Sequence, residues 1–204
     1  MQCVGGVELW IGKLLEEMQS TVGTILASIS LALTDPEFNF IIDFQEYCGQ
    51  GGLVGVQILW TKDAEYALRK CKTDKVIMRK TNQQFLDLLN SFIELTIKDL
   101  TKLDRIKFET MVTIHVHQRD IFDDLVRLKI KHINDFEWQK QARFYFDMET
   151  DEITVSITDV DFIYQNEYLG VVERLAITPL TDRCYITLAQ AMGTIISFKN
   201  LWEV

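Results

Sequence analysis

Prolines are scarce in this 204-residue sequence: Pro36 and Pro179 are the only two. With so few helix breakers, long helices are expected through most of the chain. The four cysteines, Cys3, Cys48, Cys71 and Cys184, are widely spaced and form no CxxC pair. That excludes a ribbon-type zinc site and argues against a disulfide scaffold, and a reducing, intracellular compartment is expected. No basic excess exists either: 21 Lys+Arg stand against 30 Asp+Glu, a net charge of −9. Nucleic acid is therefore not expected as a partner, because phosphate binding needs a dominant basic face. The longest early apolar run, residues 22–33, is too short for the ~20 residues of a membrane span. Its Val22, Ile25, Leu26, Ile29 and Leu33 recur at helical spacing, so it reads as a core-facing helix rather than a membrane segment.

Catalytic signatures are missing as well. A phosphate loop needs G-x-x-x-x-G-K-[ST], and Gly12-Lys13 is followed by Leu14, with valine at position 7. There is no G-x-S-x-G elbow and no H-E-x-x-H helix. His115 and His117 are two residues apart, which on a helix turns them about 200° from each other and prevents them from chelating one ion. No metal site and no catalytic residue are expected, and the chain reads as a non-enzymatic segment.

What is present is helical periodicity. Residues 5–33 read as one long helix, ended at Asp35-Pro36, and 38–47 as a short aromatic-rich helix. Gly49, Gly51 and Gly52 read as a loop before a helix over 53–71. Further helices are expected over 81–98, with Phe85, Leu88, Leu89, Phe92 and Leu95 as its stripe, and over 103–130, with a broad apolar face. Short connections favour antiparallel packing. Residues 138–146 read as helix. Beyond them Ile153 to Ile157 alternates with period two, Val160 to Tyr164 is equally strand-like, and Asp159 lies in the turn. Leu175 to Thr178 is a third strand candidate, and Pro179 suits the first turn of a last helix through Cys184 and Leu188. The fold class expected is mainly α, with long antiparallel helices and a small β-hairpin region near the C-terminus.

Charge is segregated. No Lys or Arg lies between Arg143 and Arg174, where eight acids fall, whereas Arg69, Lys70, Lys72, Lys75, Arg79 and Lys80 cluster around a single Asp74. This reads either as a docking surface or as two solvated faces.

Five stretches in order resemble a known family. Glu167-Tyr168-Leu169-Gly170, then Arg174-Leu175, then Thr178 to Tyr185, is similar to the signature of dynein heavy chains where the linker enters the first AAA+ module. Val7-Glu8 with Trp10, Gln57 with Trp60-Thr61, Val116 to Asp120 (V-H-x-R-D) and Phe136-Glu137-Trp138 with Gln141, Arg143 and Tyr145 resemble the family's stretches too. The likeness spans residues 5–192 and leans toward the axonemal members. Tyr164-Gln165-Asn166 departs from the family's usual Tyr-Gly-Tyr, so the local turn is expected to differ.

The resemblance implies a helical linker segment over 1–145, a β-rich junction over 146–172, the first residues of the AAA+ module over 173–192, and a divergent tail over 193–204. It implies that Trp138, Phe144 and Tyr145 anchor the helices onto the junction. It also implies that Leu175, Ile177, Pro179 and Leu180 are a vestigial adenine wall. A truncation before the phosphate loop is expected, so that the ATP of the intact family does not bind usefully. Implied partners are intermediate and light intermediate chains, the AAA+ ring and, through the intact motor, microtubules. The implied places are cytoplasm, cytoskeleton and cilium axoneme. The alternative is a free-standing helical protein-interaction module.

Overall fold

The computed structural model describes residues 6–35, 37–38, 40–171 and 178–202. The elements run α1 (Val7–Ala32), α2 (Phe40–Glu46), α3 (Gly49–Lys70), α4 (Ile77–Ile97), α5 (Lys102–Arg127), α6 (Phe136–Gln139), β1 (Arg143–Asp147), β2 (Glu152–Ile157), β3 (Val160–Ile163) and α7 (Pro179–Trp202). The chain is mainly helical with one small antiparallel sheet, as its periodicity predicts. No described helix is long and apolar enough to cross a membrane.

The central element is α3, with 13 buried residues in its 22, too many for a single apolar stripe. Here the sequence reading needs correction: Gly49, Gly51 and Gly52 form the first turn of α3 and not a loop. The reason is close packing. A methyl added at Gly51 would lie 2.2 Å from Ile29 Cδ1, and one at Gly52 would lie 2.1 Å from Met111 Cε and 3.0 Å from Phe44. The absence of Cβ lets α1, α2 and α5 approach the start of α3, and that contact outweighs the roughly 1 kcal/mol per glycine lost in helix propensity.

Helices α4 and α5 form an antiparallel hairpin. Asn82 meets Asp123, Phe85 meets Phe122, and Arg105 meets Thr96, so residue numbers run in opposite directions across the contact. Thr101 caps α5 by accepting from Asp104 N at 3.2 Å. The apolar face of α5 is narrower than its pattern suggests. Phe108, Met111, Ile114, Phe122 and Leu125 are buried, whereas Ile106 and Leu128 are exposed.

His115 lies in this interface, 1% exposed and edge-on to Phe85 and Phe92. Its Nε2 carries the proton, because it faces the Phe85 carbonyl at 3.0 Å and a carbonyl only accepts. Burial holds its pKa below the ordinary value, against the two hydrogen bonds that favour the charged ring. The unfolded chain therefore binds a proton more readily than the folded one. Its contribution to stability is full above about pH 6.5 and is lost as pH falls through the lowered folded value. His115→Asn should flatten the fall in melting temperature between about pH 6.5 and 5, measured by circular dichroism.

A second correction concerns residues 138–146. Helix stops at Gln139, and Arg143–Asp147 is strand β1, paired antiparallel to β2, with Phe144 opposite Val155 and Phe146 opposite Ile153. Three consecutive aromatics, Phe144 to Phe146, suit a pleated surface where alternate rings separate. Phe144 and Phe146 pack onto the helical core. The expected hairpin is present, with Val155 opposite Phe162 and Asp159 in the turn. The strand candidate Leu175 to Thr178 lies outside the described residues except for Thr178.

The sheet docks on α3. Trp138 is fully buried with its ring centroid 5.2 Å from that of Trp60, Phe144 N donates to Thr61 Oγ1 at 3.0 Å, and Tyr145 Oη donates to Glu65 at 2.6 Å. Burial and the neighbouring Glu65 push the Tyr145 phenol up to about 12, well above a free tyrosine. Stability from this contact is full below about pH 10 and is lost as pH rises through about 12. Ultraviolet titration should show one tyrosine ionising about two units late, and Tyr145→Phe should remove that late component.

Candidate functional site

The stretch with the strongest family resemblance begins as an irregular strap, residues 164–171, leaving β3 across the start of α3. Its conformation is set by two left-handed residues, Asn166 (φ 54°) and Gly170 (φ 60°). Asparagine tolerates this region better than most side chains, which gives the turn at 164–166 its physical basis. Gly23 of α1 leaves room for Asn166: a methyl there would lie 3.0 Å from its amide nitrogen.

Gln50, 6% exposed, holds the strap. Its Nε2 donates to the Glu167 carbonyl at 2.7 Å and to Tyr164 Oη at 3.0 Å. Its Oε1 accepts from Leu169 N at 2.9 Å and Gly170 N at 3.3 Å. One side chain thus satisfies backbone groups more than 110 residues away. Next to it, Gly49 permits close approach, since a methyl there would lie 1.9 Å from Val171 Cγ2. Lys107, 5% exposed, comes from α5 and donates to the carbonyls of Gln45 (2.9 Å) and Tyr47 (3.0 Å) at the end of α2. A cation is well placed at a helix C-terminus. Between these groups and α1 lies a cavity of about 950 Å³.

Helix α7 opens on a reciprocal cap. Thr178 Oγ1 accepts from Thr181 N (3.3 Å), and Thr181 Oγ1 accepts from Thr178 N (2.8 Å), with Pro179 at the first helical position. The helix then packs on the sheet: at Gly193 a methyl would lie 2.5 Å from Val160 Cγ2. Residues 193–202, set apart as a tail from sequence, continue α7. Asp182, in its first turn, acts electrostatically on His117 of α5, whose pKa burial nonetheless lowers.

Of the four residues expected to wall an adenine, Leu175 and Ile177 lie outside the described residues. Pro179 starts α7, and Leu180 has 72% of its surface exposed. In the V-H-x-R-D stretch, His117 is half-buried, Gln118 meets the His115 ring and Arg119 pairs with Asp120 at 2.9 Å. No group of three or more His, Cys, Asp or Glu able to hold a metal occurs among the described residues. Nor does any ion pair among them join the basic stretch at 69–80 to the acidic one at 147–173. Gln50 and Lys107 escaped the sequence reading. Gln50 sat in a stretch taken for a solvated loop, and a lysine on an amphipathic helix carries no mark of burial.

Residues 164–198, the strap and most of α7, match the family described as the hydrolytic ATP binding site of the dynein motor region. This stretch is therefore part of a dynein motor. Over 189 residues, 93% of this chain, the sequence is 56% identical to dynein axonemal heavy chain 5 of Mus musculus, and 57% identical to dynein axonemal heavy chain 8 of Homo sapiens. Over 194 residues, 94% of the chain, it is 43% identical to the dynein gamma chain, flagellar outer arm, of Chlamydomonas reinhardtii. The chain belongs to the dynein heavy chain family, and it spans about 4% of the length of these relatives.

These findings overturn the expectation of a non-enzymatic segment. The absence of a phosphate loop and of other catalytic signatures was the ground for it. A hydrolytic ATP-binding family nevertheless matches 164–198, and the match points to an ATPase region.

Proposed function

We propose that the chain is the joint between the linker of a microtubule motor and the opening of its first ATPase module. Helices α1 to α5 are the linker side, the sheet and strap are the junction, and α7 is the module's first helix. The observation that carries this reading is the grip of Gln50 on the strap. It ties the helical core directly to the segment that matches the ATP-binding family. A rearrangement on the ATPase side is then passed to the helices through fixed hydrogen bonds rather than a loose tether. In this reading 164–198 supplies one part of a nucleotide site, and residues elsewhere in the heavy chain supply the rest. The relatives' names place them in axonemes and in a flagellar outer arm, and the proposed setting is the ciliary axoneme, in complex with other dynein subunits.

The test is made in a complete heavy chain carrying this segment. Gln50→Leu should slow microtubule gliding by about 2- to 30-fold, as expected for a coupling loss of ~0.5–2 kcal/mol, while basal ATP hydrolysis stays near the parental rate. Parental gliding velocity in the variant would refute the joint.

A further inference from the structure

We propose that the groove between α1 and α5 is a docking site for a basic amphipathic helix. The cavity of about 950 Å³ beside the strap opens to solvent, and most of its surface is apolar. Val22 and Leu26 of α1 form one wall and Ile106 of α5 another, while Leu103 and Leu169 reach its mouth, 80% and 57% exposed. The apolar surface does not end there. Along α1 it continues through Met18, Leu14 and Ile11, which are 38%, 40% and 49% exposed and spaced by three or four residues. A groove continued by an apolar stripe at helical spacing over several turns of α1 takes the apolar face of another helix, anchored at i, i+3/i+4 and i+7.

Charge decides which helix. Glu17 and Glu46 line the cavity with exposed carboxylates, and Asp104 lines it from α5. Among the described lining residues Lys107 is the single cation. Its ammonium is buried, donating to the carbonyls of Gln45 and Tyr47, with Asp104 at 3.7 Å. Among the described lining residues the rim therefore presents acids to solvent and no free base. Lysines or arginines flanking an apolar face complement it. A second copy of this chain fits poorly, because its own α1 would bring Glu8, Glu16 and Glu17 against the same acids.

The experiment uses the 204-residue chain and two synthetic helical peptides. They share one leucine face, and the flanking positions are all lysine in one and all glutamate in the other. By fluorescence anisotropy the lysine peptide should bind at least about tenfold tighter, with affinity falling as salt is raised. Hydrogen exchange should slow at residues 18–26 and 103–107 when it binds. Glu17→Lys combined with Glu46→Lys, both at exposed positions, should reverse the preference between the peptides. No binding, equal binding of both peptides, protection on another face, or an unchanged preference in the double variant would each overturn the proposal. So would concentration-dependent dimerisation of the chain alone that protects these same residues, because it would make a second copy the occupant.

Discussion

Trp138→Ala should destabilise the chain by about 3–5 kcal/mol, the range for deleting a fully buried indole. For a chain of this size that lowers the melting temperature by about 6–20 °C. The ring is fully buried against Trp60 and belongs to the cluster of Ala64, Leu68, Phe85, Phe122 and Leu125, where α6, α3 and the α4–α5 hairpin meet. A cavity there loosens three elements together. Trp138→Phe should be milder, about 1–2 kcal/mol. The Trp138 Nε1 has no hydrogen-bond partner among the described residues, so phenylalanine removes volume but no hydrogen bond. Thermal melts by circular dichroism read both variants. Equal losses in the two would show that the volume removed does not set the cost.

Gln50→Leu should act locally rather than globally. Leucine leaves the Glu167 carbonyl and the amides of Leu169 and Gly170 without their partner beside a cavity that opens to solvent. Each lost hydrogen bond is worth about 0.5–1.5 kcal/mol net, so the strap should open before the core does. Hydrogen exchange at Leu169 and Gly170 should accelerate about 10- to 100-fold, while amides of the α4–α5 hairpin keep their protection. Gln50→Glu keeps an acceptor for both amides and should preserve most of that protection, although it gives up the donor to Glu167. If Gln50→Leu leaves both amides as slow as in the parent, the strap is held by something other than this side chain.

The long helices were readable because each buries one stripe. Phe85, Leu89, Phe92 and Leu95 recur at the period of a helix, and all four are buried. The hairpin was readable for the same reason at period two. Two readings failed for different reasons, and at the glycines a local preference is overruled by packing. Gly49, Gly51 and Gly52 look like breakers to any rule that sees only neighbours in sequence. Their role is set by Val171, Ile29, Met111 and Phe44, which lie on other segments of the chain. Residues 138–146 begin with one helical turn, and three adjacent aromatics are too few to distinguish the two periods. The family signature at 167–185 was legible as a pattern. Gln50, which holds its first part, was not, because a hydrogen bond spanning more than 110 residues leaves no trace in local composition.

Helix α1 also has a mechanical consequence. Its 26 residues extend about 39 Å, but burial among the described residues is confined to Leu26, Ile29 and Ser30, with Leu33 just beyond the helix. The portion from Val7 to Thr21, about 22 Å long, extends beyond the Gly23–Asn166 contact with no buried residue. A small sideways force at its far end acts on the Ile29–Gly51 contact with a long moment arm. The helix therefore converts a push at one end into torque at the first turn of α3, the turn from which Gln50 reaches the strap.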